Sequence, residues 1–121
     1  MPAETPTCET LTRQLVAFRD ARDWRQFHSL KNLMLSLNLE VSELLELAQW
    51  KSDDQVEAAI PEPEFKVRMA EECADVFLYL LLIAERAGID LPSAAAAKIE
   101  RNGIKYPVEK SRGNSTKYSD L

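Results

Sequence analysis

The sequence predicts an all-α fold, a bundle of four to five helices, from two observations. Apolar residues recur at spacings of three and four, the period of an amphipathic helix, and do not alternate as in a half-buried strand. Glycine occurs only three times in 121 residues, too rarely for the many turns of a small sheet protein. With 45% apolar residues, this length suits one domain spanning residues 1–121.

The first predicted helix runs from Thr7, whose side chain can cap a helix, to about Ala21. Residues 1–7 are predicted to form a loose leader, because two prolines oppose an earlier start. A short link then leads to Ser29, which is a second plausible cap.

The second helix has the clearest pattern in the chain. We expect one stripe at spacings of three and four to face the core, made of Leu30, Leu33, Met34, Leu37, Val41, Leu44, Leu45 and Ala48. Three further leucines lie off this stripe, so the helix is expected to be covered on more than one side; they are Leu35, Leu39 and Leu47.

A connector or short helix is predicted from Asp53 to a pair of prolines, Pro61 and Pro63, which helices do not cross. A long helix then runs over residues 64–87. Gly88 is predicted to end it in the left-handed conformation.

The last predicted helix begins near Pro92, whose missing N–H suits a first turn, and ends at Gly103. Residues 107–121 are predicted to form an irregular tail. Cys8 and Cys73 do not have the spacing of metal ligands, and Cys73 is expected to be a buried thiol in the long helix.

Charge and hydropathy exclude several classes of protein. The net charge of −5 argues against binding to a nucleic acid polymer, which requires basic patches. No secretory signal is visible at the N-terminus. The longest apolar run, residues 76–84, is far shorter than the roughly 20 residues of a membrane span. We therefore predict a cytoplasmic protein that does not enter membranes.

Two pairs of acidic residues stand inside otherwise apolar helical segments. Glu40 and Glu43 lie in the second helix, and Glu72 and Asp75 in the long helix. Residues three apart share one side of a helix, and carboxylates enter a core only when their charge is compensated. If the two helices pack antiparallel, the pairs meet, and oxygen ligands of this kind suit Mg2+ or Mn2+. The spacing alone leaves a solvated acidic face equally open.

Several ordered motifs resemble one family. The acidic pairs are similar to the ExxE and ExxD elements of the all-α, MazG-like nucleoside triphosphate pyrophosphohydrolases. The dCTP pyrophosphatase branch is the nearer resemblance, on RDWRQFH (22–28), LEVSELLELAQWK (39–51), EECADVFLYL (71–80), DLP (90–92) and KIERNGIKYP (98–107). The wider superfamily often has a glutamate at the position of Leu39. The dCTP pyrophosphatase branch also lacks this glutamate.

The resemblance implies hydrolysis of a dCTP-like nucleoside triphosphate to the monophosphate and pyrophosphate. It implies that Mg2+, or Mn2+ in its place, is held by Glu40, Glu43, Glu72 and Asp75. Such ions would neutralise the triphosphate and acidify an attacking water. Glu43 and Glu46 are both candidates for the general base, and the residues do not decide between them.

Further residues are expected to hold the nucleotide. By the resemblance, Trp24, His28 and Trp50 are similar to base-pocket residues, and aromatic rings stack on bases. Tyr79 lies one turn beyond the second acidic pair. Lys98 and Asn102, one turn apart, match family positions near the triphosphate, where a lysine supplies a point charge.

Three alternatives stay open. A broad-specificity dNTP pyrophosphatase would share the same site. A di-iron carboxylate bundle is disfavoured because the only histidine, His28, is outside both acidic helices. A non-enzymatic helical oligomerisation module would need no metal. The resemblance implies a homo-oligomer, dimers assembling into a tetramer, with the sites near subunit contacts.

Overall fold

Helices form the ordered elements of the chain, whose structure is a computed structural model describing residues 5–120. The α-helices are α1 (Cys8–Ala21), α2 (Leu30–Glu46), α3 (Asp53–Ala59), α4 (Pro63–Ala87), α5 (Leu91–Lys105) and α6 (Val108–Ser111). Short 3-10 helices occupy Arg25–Phe27 and Tyr118–Asp120. No strand occurs in residues 5–120, so the all-α prediction is confirmed. Most of the predicted leader, residues 1–4, lies outside the described residues, as does the final residue, Leu121.

Four helix ends lie where their sequence signals place them: the starts of α1, α2 and α5 and the end of α4. The Oγ1 of Thr7 accepts from the backbone N–H of Thr10 at 3.1 Å, and Ser29 caps α2 in the same way. Gly88 ends α4 with φ 69°, a left-handed conformation that costs glycine least. Pro92 lies in the first turn of α5, as predicted.

The chain divides into two compact units, one up to Gly88 and one from Ile89 onward. The first contains α1 to α4 and every side chain that the structure buries. The second contains α5, α6 and the last 3-10 helix, and all its residues are exposed or half-buried. The expectation of one domain over residues 1–121 stays a prediction.

In the first unit, α2 and α1 both pack against α4. A cluster of Leu47, Ala59 and Phe65 joins the end of α2, α3 and the start of α4. Because the end of α2 meets the start of α4, the two helices are antiparallel, which is the arrangement in which the two acidic pairs can meet.

Arg19, near the end of α1, forms an ion pair at the end of α4 away from this cluster. The sequence analysis did not predict this ion pair. Arg19 is 5% exposed, and its guanidinium lies 2.9 Å from Asp20 and 3.2 Å from Glu85. Glu85 is in the last turn of α4, so this ion pair connects α1 to α4. A buried arginine is tolerated here because two carboxylates compensate its charge.

The predicted core stripe of α2 was partly wrong. Met34, Val41 and Leu45 are exposed, whereas Leu47, predicted to lie off the stripe, is buried. Apolar residues surround most of this helix, so a spacing of three and four can be traced along two adjacent faces. The face that α2 turns inward passes through Leu33 and Leu44, and Glu40 lies within it.

Three smaller predictions also need correction. Cys73 is exposed and not buried, and both cysteines are free thiols. Gly103 does not end α5, which continues to Lys105, since a glycine inside a helix weakens it without breaking it. The tail is irregular only in part, as it contains α6 and the last 3-10 helix.

Among the residues that the structure describes, no helix is both long enough and apolar enough to cross a membrane.

Candidate functional site

Three carboxylates come together where α2 and α4 face each other. One oxygen from each of Glu40, Glu43 and Glu72 lies within 4.8 Å of the other two. Glu40 and Glu43 are three residues apart on α2, so both project to the same side, and α4 brings Glu72 to the same height. The sequence analysis expected both acidic pairs to meet if the two helices pack antiparallel, and three of those four carboxylates do so.

The site is partly withdrawn from solvent. Glu40 and Glu72 are half-buried, and each has a buried carboxylate oxygen, Oε2, without a hydrogen-bond partner. Glu43 is exposed. A buried carboxylate oxygen without a donor is costly, and a cation is one group that could compensate it.

The electrostatics of the cluster are unfavourable without a cation. Burial raises the pKa of Glu40 above its ordinary value, and the carboxylate of Glu43 raises it further. Burial also raises the pKa of Glu72, with the charges of Glu43 and Asp75 as the next causes. Like charges crowded into a partly buried site favour protonation or a bound cation. The donor set is entirely carboxylate oxygen, which fits a hard divalent ion such as Mg2+ or Mn2+.

Asp75 lies at the edge of this group. It is exposed, and it is outside the three oxygens that approach within 4.8 Å. Its charge nevertheless contributes to the raised pKa of Glu40 and of Glu72. Glu46, the last residue of α2, is exposed one turn beyond Glu43.

The aromatic residues expected at the base pocket stand at both ends of α2. Trp24 and His28 precede the helix, while Trp50 follows it and is 88% exposed. At a rise of 1.5 Å per residue, the 17 residues of α2 are about 25 Å long. A single base is much shorter, so the rings at the two ends cannot contact the same base within one chain.

Trp24 and His28 differ in their surroundings. Trp24 is 43% exposed and packs edge-to-face on Phe18 of α1, with ring centroids 5.8 Å apart. His28 is half-buried, and its Nδ1 is buried without a hydrogen-bond partner. It lines an open pocket of about 550 Å3 together with two arginines, Arg25 and Arg86.

The remaining predicted residues lie on α4 and α5. Tyr79 is half-buried on α4, one helical turn after Asp75. Lys98 and Asn102 are exposed on α5, in the second unit, and are four residues apart on one side of that helix. The sequence analysis did not predict that Phe18 and Arg22 lie beside Trp24. Their proximity depends on the turn at Asp23, which has no local sequence signal.

A helix pair with facing, partly buried carboxylates defines a class of all-α proteins with an oxygen-ligand site suited to divalent cations. The chain belongs to the MazG-like family, whose model matches residues 35–121.

The chain is also similar to proteins with assigned names. The chain is 44% identical over 116 residues to dCTP pyrophosphatase 1 of Rattus norvegicus. The aligned region covers 96% of this chain and 68% of that protein. Identity to dCTP pyrophosphatase 1 of Homo sapiens is 40% over 116 residues, with the same two shares. The fold is also similar to the crystal structure of a pyrophosphatase from Archaeoglobus fulgidus, with a TM-score of 0.77 and 38% identity over 88% of this chain and 98% of that one.

Proposed function

We propose that this protein is a nucleoside triphosphate pyrophosphohydrolase that cleaves dCTP, and 5-modified dCTP, to the monophosphate and pyrophosphate. The observation that carries the proposal is the gathering of Glu40, Glu43 and Glu72 within 4.8 Å between antiparallel helices. Its substrate is supported by the 44% identity to a protein named dCTP pyrophosphatase 1. The purpose of such a reaction would be sanitation of the nucleotide pool.

The proposed cofactor is Mg2+, with Mn2+ able to replace it. Glu40, Glu43 and Glu72 would hold the metal, and Asp75 would join them. When bound, the metal supplies positive charge to the triphosphate and acidity to a coordinated water. The buried oxygens of Glu40 and Glu72 support this assignment, because neither has a protein donor.

The chain itself must accept the proton of the attacking water. Glu43 and Glu46 are the proposed bases: both are exposed carboxylates on α2, one turn apart, and so open to substrate and water. Glu43 is also in the metal cluster, whereas Glu46 is outside it. Substitution of each residue in turn therefore distinguishes metal binding from proton acceptance.

The base and the phosphates have separate proposed contacts. Trp24, His28 and Trp50 form the base pocket, where exposed ring faces can stack on a pyrimidine. Tyr79 would donate its hydroxyl near the sugar or a phosphate. Lys98 and Asn102 would bind the polyphosphate, which a lysine charge and an amide donor suit.

Homo-oligomerisation is part of the proposal, as dimers that assemble into a tetramer. Because Trp24 and Trp50 lie at opposite ends of a helix about 25 Å long, a pocket with both rings requires a second copy. Leu35, Leu39 and Leu45 on α2 are each more than half exposed and would supply the apolar contact between copies. The proposal keeps the predicted single domain and cytoplasmic location.

Substrate choice is tested with a panel of canonical and 5-modified dNTPs. Products are separated by ion-exchange chromatography, so that dCMP with pyrophosphate is distinguished from dCDP with phosphate. We expect dCTP and its 5-modified forms to be hydrolysed fastest, with the monophosphate as product. Similar rates for all dNTPs would support the broad-specificity alternative. Formation of dCDP would contradict the proposed cleavage between the α and β phosphates. No hydrolysis of any nucleotide would favour a non-enzymatic module.

A further inference from the structure

The turn between α1 and the first 3-10 helix has an unusual backbone. Asp23 has φ 52°, the one positive value at a non-glycine residue within residues 5–120. Aspartate tolerates this left-handed region better than most residues, but at a cost. The conformation is held by Gln26, whose Nε2 donates to the Asp23 carboxylate at 2.9 Å and to its carbonyl at 3.0 Å. The turn fixes the direction in which the next residue, Trp24, leaves α1.

The guanidinium of Arg22 lies beside both aromatic rings at this turn. Its guanidinium carbon lies 3.5 Å from the centroid of the Phe18 ring and 5.9 Å from that of Trp24. Its Nη1 donates to the backbone carbonyl of Phe18 at 3.0 Å, which fixes the guanidinium against α1. The Trp24 N–H donates to the carbonyl of Arg19 at 3.1 Å, so the backbone of the tryptophan is also tied to this helix.

We infer that Arg22 is a positioning residue that holds the Trp24 ring ready to stack on the substrate base. This inference rests on the proposed function, which places Trp24 in the base pocket. The guanidinium and Phe18 together restrict the ring before substrate arrives, and a ring already held loses less entropy on binding. Trp24 remains 43% exposed, so the restraint leaves ring surface for a base.

The effect of Arg22 on Trp24 is measured without substrate by 19F NMR. Both tryptophans are replaced by 5-fluorotryptophan, and the Trp50→Phe variant assigns the two resonances. Arg22→Met should shift or broaden the Trp24 resonance and leave that of Trp50 unchanged. Arg22→Lys, which keeps the charge but not the planar group, should give a smaller change. Arg13→Met is the matched control, because Arg13 is an exposed arginine on the same helix, paired with Glu9.

Kinetics then test the role of this restraint in substrate binding. Arg22→Met should raise the KM for dCTP roughly threefold to tenfold, the range expected for losing one cation–π contact, while kcat stays unchanged. Phe18→Leu should raise KM similarly, and the double variant should show less than the product of the two effects, because both act through one ring. Arg13→Met should have wild-type KM and kcat.

Two results would overturn the inference while the wild-type protein is active. One is an Arg22→Met variant whose KM and whose Trp24 resonance are both the same as in wild type. The other is a variant that shifts both tryptophan resonances and lowers the thermal midpoint and kcat together, as a general structural role predicts. A wild-type protein that hydrolyses no dNTP would instead overturn the proposed function, and the role of Arg22 with it.

Discussion

Glu40 and Glu72 face each other from antiparallel helices, with carboxylate oxygens within 4.8 Å and one buried oxygen each that has no hydrogen-bond partner. Two like charges in such a position oppose folding unless a proton or a cation joins them. The relationship therefore connects the stability of this protein to its chemistry. A bound cation would offset this repulsion.

The stability of the metal-free protein should depend on the ionisation of Glu40. Its folded-state pKa lies above the ordinary value of 4.5, so the folded chain binds this proton more tightly than the unfolded chain. The contribution to stability is complete below the ordinary value and is lost as pH rises through the folded-state pKa. Glu40→Gln removes the charge, so its thermal midpoint should match wild type at low pH and exceed it increasingly at higher pH.

Magnesium should reverse that order. Added Mg2+ should raise the thermal midpoint of wild type by stabilising the folded state, and should raise that of Glu40→Gln much less. Glu57→Gln is the matched control, because Glu57 is an exposed carboxylate on α3 and should not affect either dependence. A wild-type midpoint that ignores both pH and Mg2+ would contradict the assignment of the cluster as a metal site.

Glu43 and Glu46 should have separable effects on catalysis. Glu43→Gln should weaken Mg2+ binding and lower the rate together, because Glu43 lies in the cluster. If Glu46 is the general base, Glu46→Gln should lower kcat by roughly 100-fold or more, without weakening Mg2+ binding. The rates are followed by pyrophosphate release and the metal by calorimetric titration. A Glu46→Gln variant with wild-type kcat would assign the proton to another group.

The Arg19 ion pair should contribute substantially to stability. Arg19→Met leaves Glu85 without its partner at the contact between α1 and α4, and we expect it to cost roughly 1–3 kcal/mol in urea unfolding. Arg13→Met removes an exposed pair within α1 and should cost about 0.5 kcal/mol or less. Equal costs for the two variants would show that burial of Arg19 adds nothing.

The same substitution should change the acid limb of the stability curve. Arg19 lowers the pKa of Asp20, first through their hydrogen bond, so this aspartate stabilises the folded state above its unfolded pKa. That stability is lost as pH falls through the folded-state pKa. The Arg19→Met variant should therefore lose less stability on acidification than wild type does.

Two glycines should respond to alanine in opposite directions. Gly88 has φ 69°, so Gly88→Ala should cost about 1 kcal/mol through backbone strain alone, since an added Cβ meets nothing within 4 Å. Gly103 lies inside α5, again with nothing within 4 Å, and Gly103→Ala should favour that helix by about 0.5–1 kcal/mol. Helicity by circular dichroism and thermal unfolding would compare them; a destabilising Gly103→Ala would contradict the open surroundings of that residue.

Local signals in the sequence were sufficient for the starts of α1 and α2 and for the end of α4. The caps at Thr7 and Ser29 and the glycine at position 88 act within one turn of their own residue, so the sequence reveals them directly. The approach of Glu40 to Glu72 followed from two pairs with a spacing of three on helices that must pack.

Features that depend on tertiary packing could not be predicted in this way. The inward face of α2 is decided by what α4 presents to it, and α2 is apolar on too many sides for its own pattern to decide. Arg19 is buried because Glu85, 66 residues later, lies beside it. The positive φ of Asp23, which directs Trp24, arises from contacts with Gln26 that no spacing rule contains.

The most direct test of the central claim is a titration of Mg2+ against pyrophosphate release from dCTP, with wild type and Glu72→Gln compared and Glu57→Gln as control. If Glu40, Glu43 and Glu72 hold the catalytic metal, wild type and Glu57→Gln should be inactive without Mg2+ and reach the same rate with it. Glu72→Gln should need far more Mg2+ and reach a lower rate. Metal-independent release, or a Glu72→Gln variant with the wild-type Mg2+ dependence, would contradict the account.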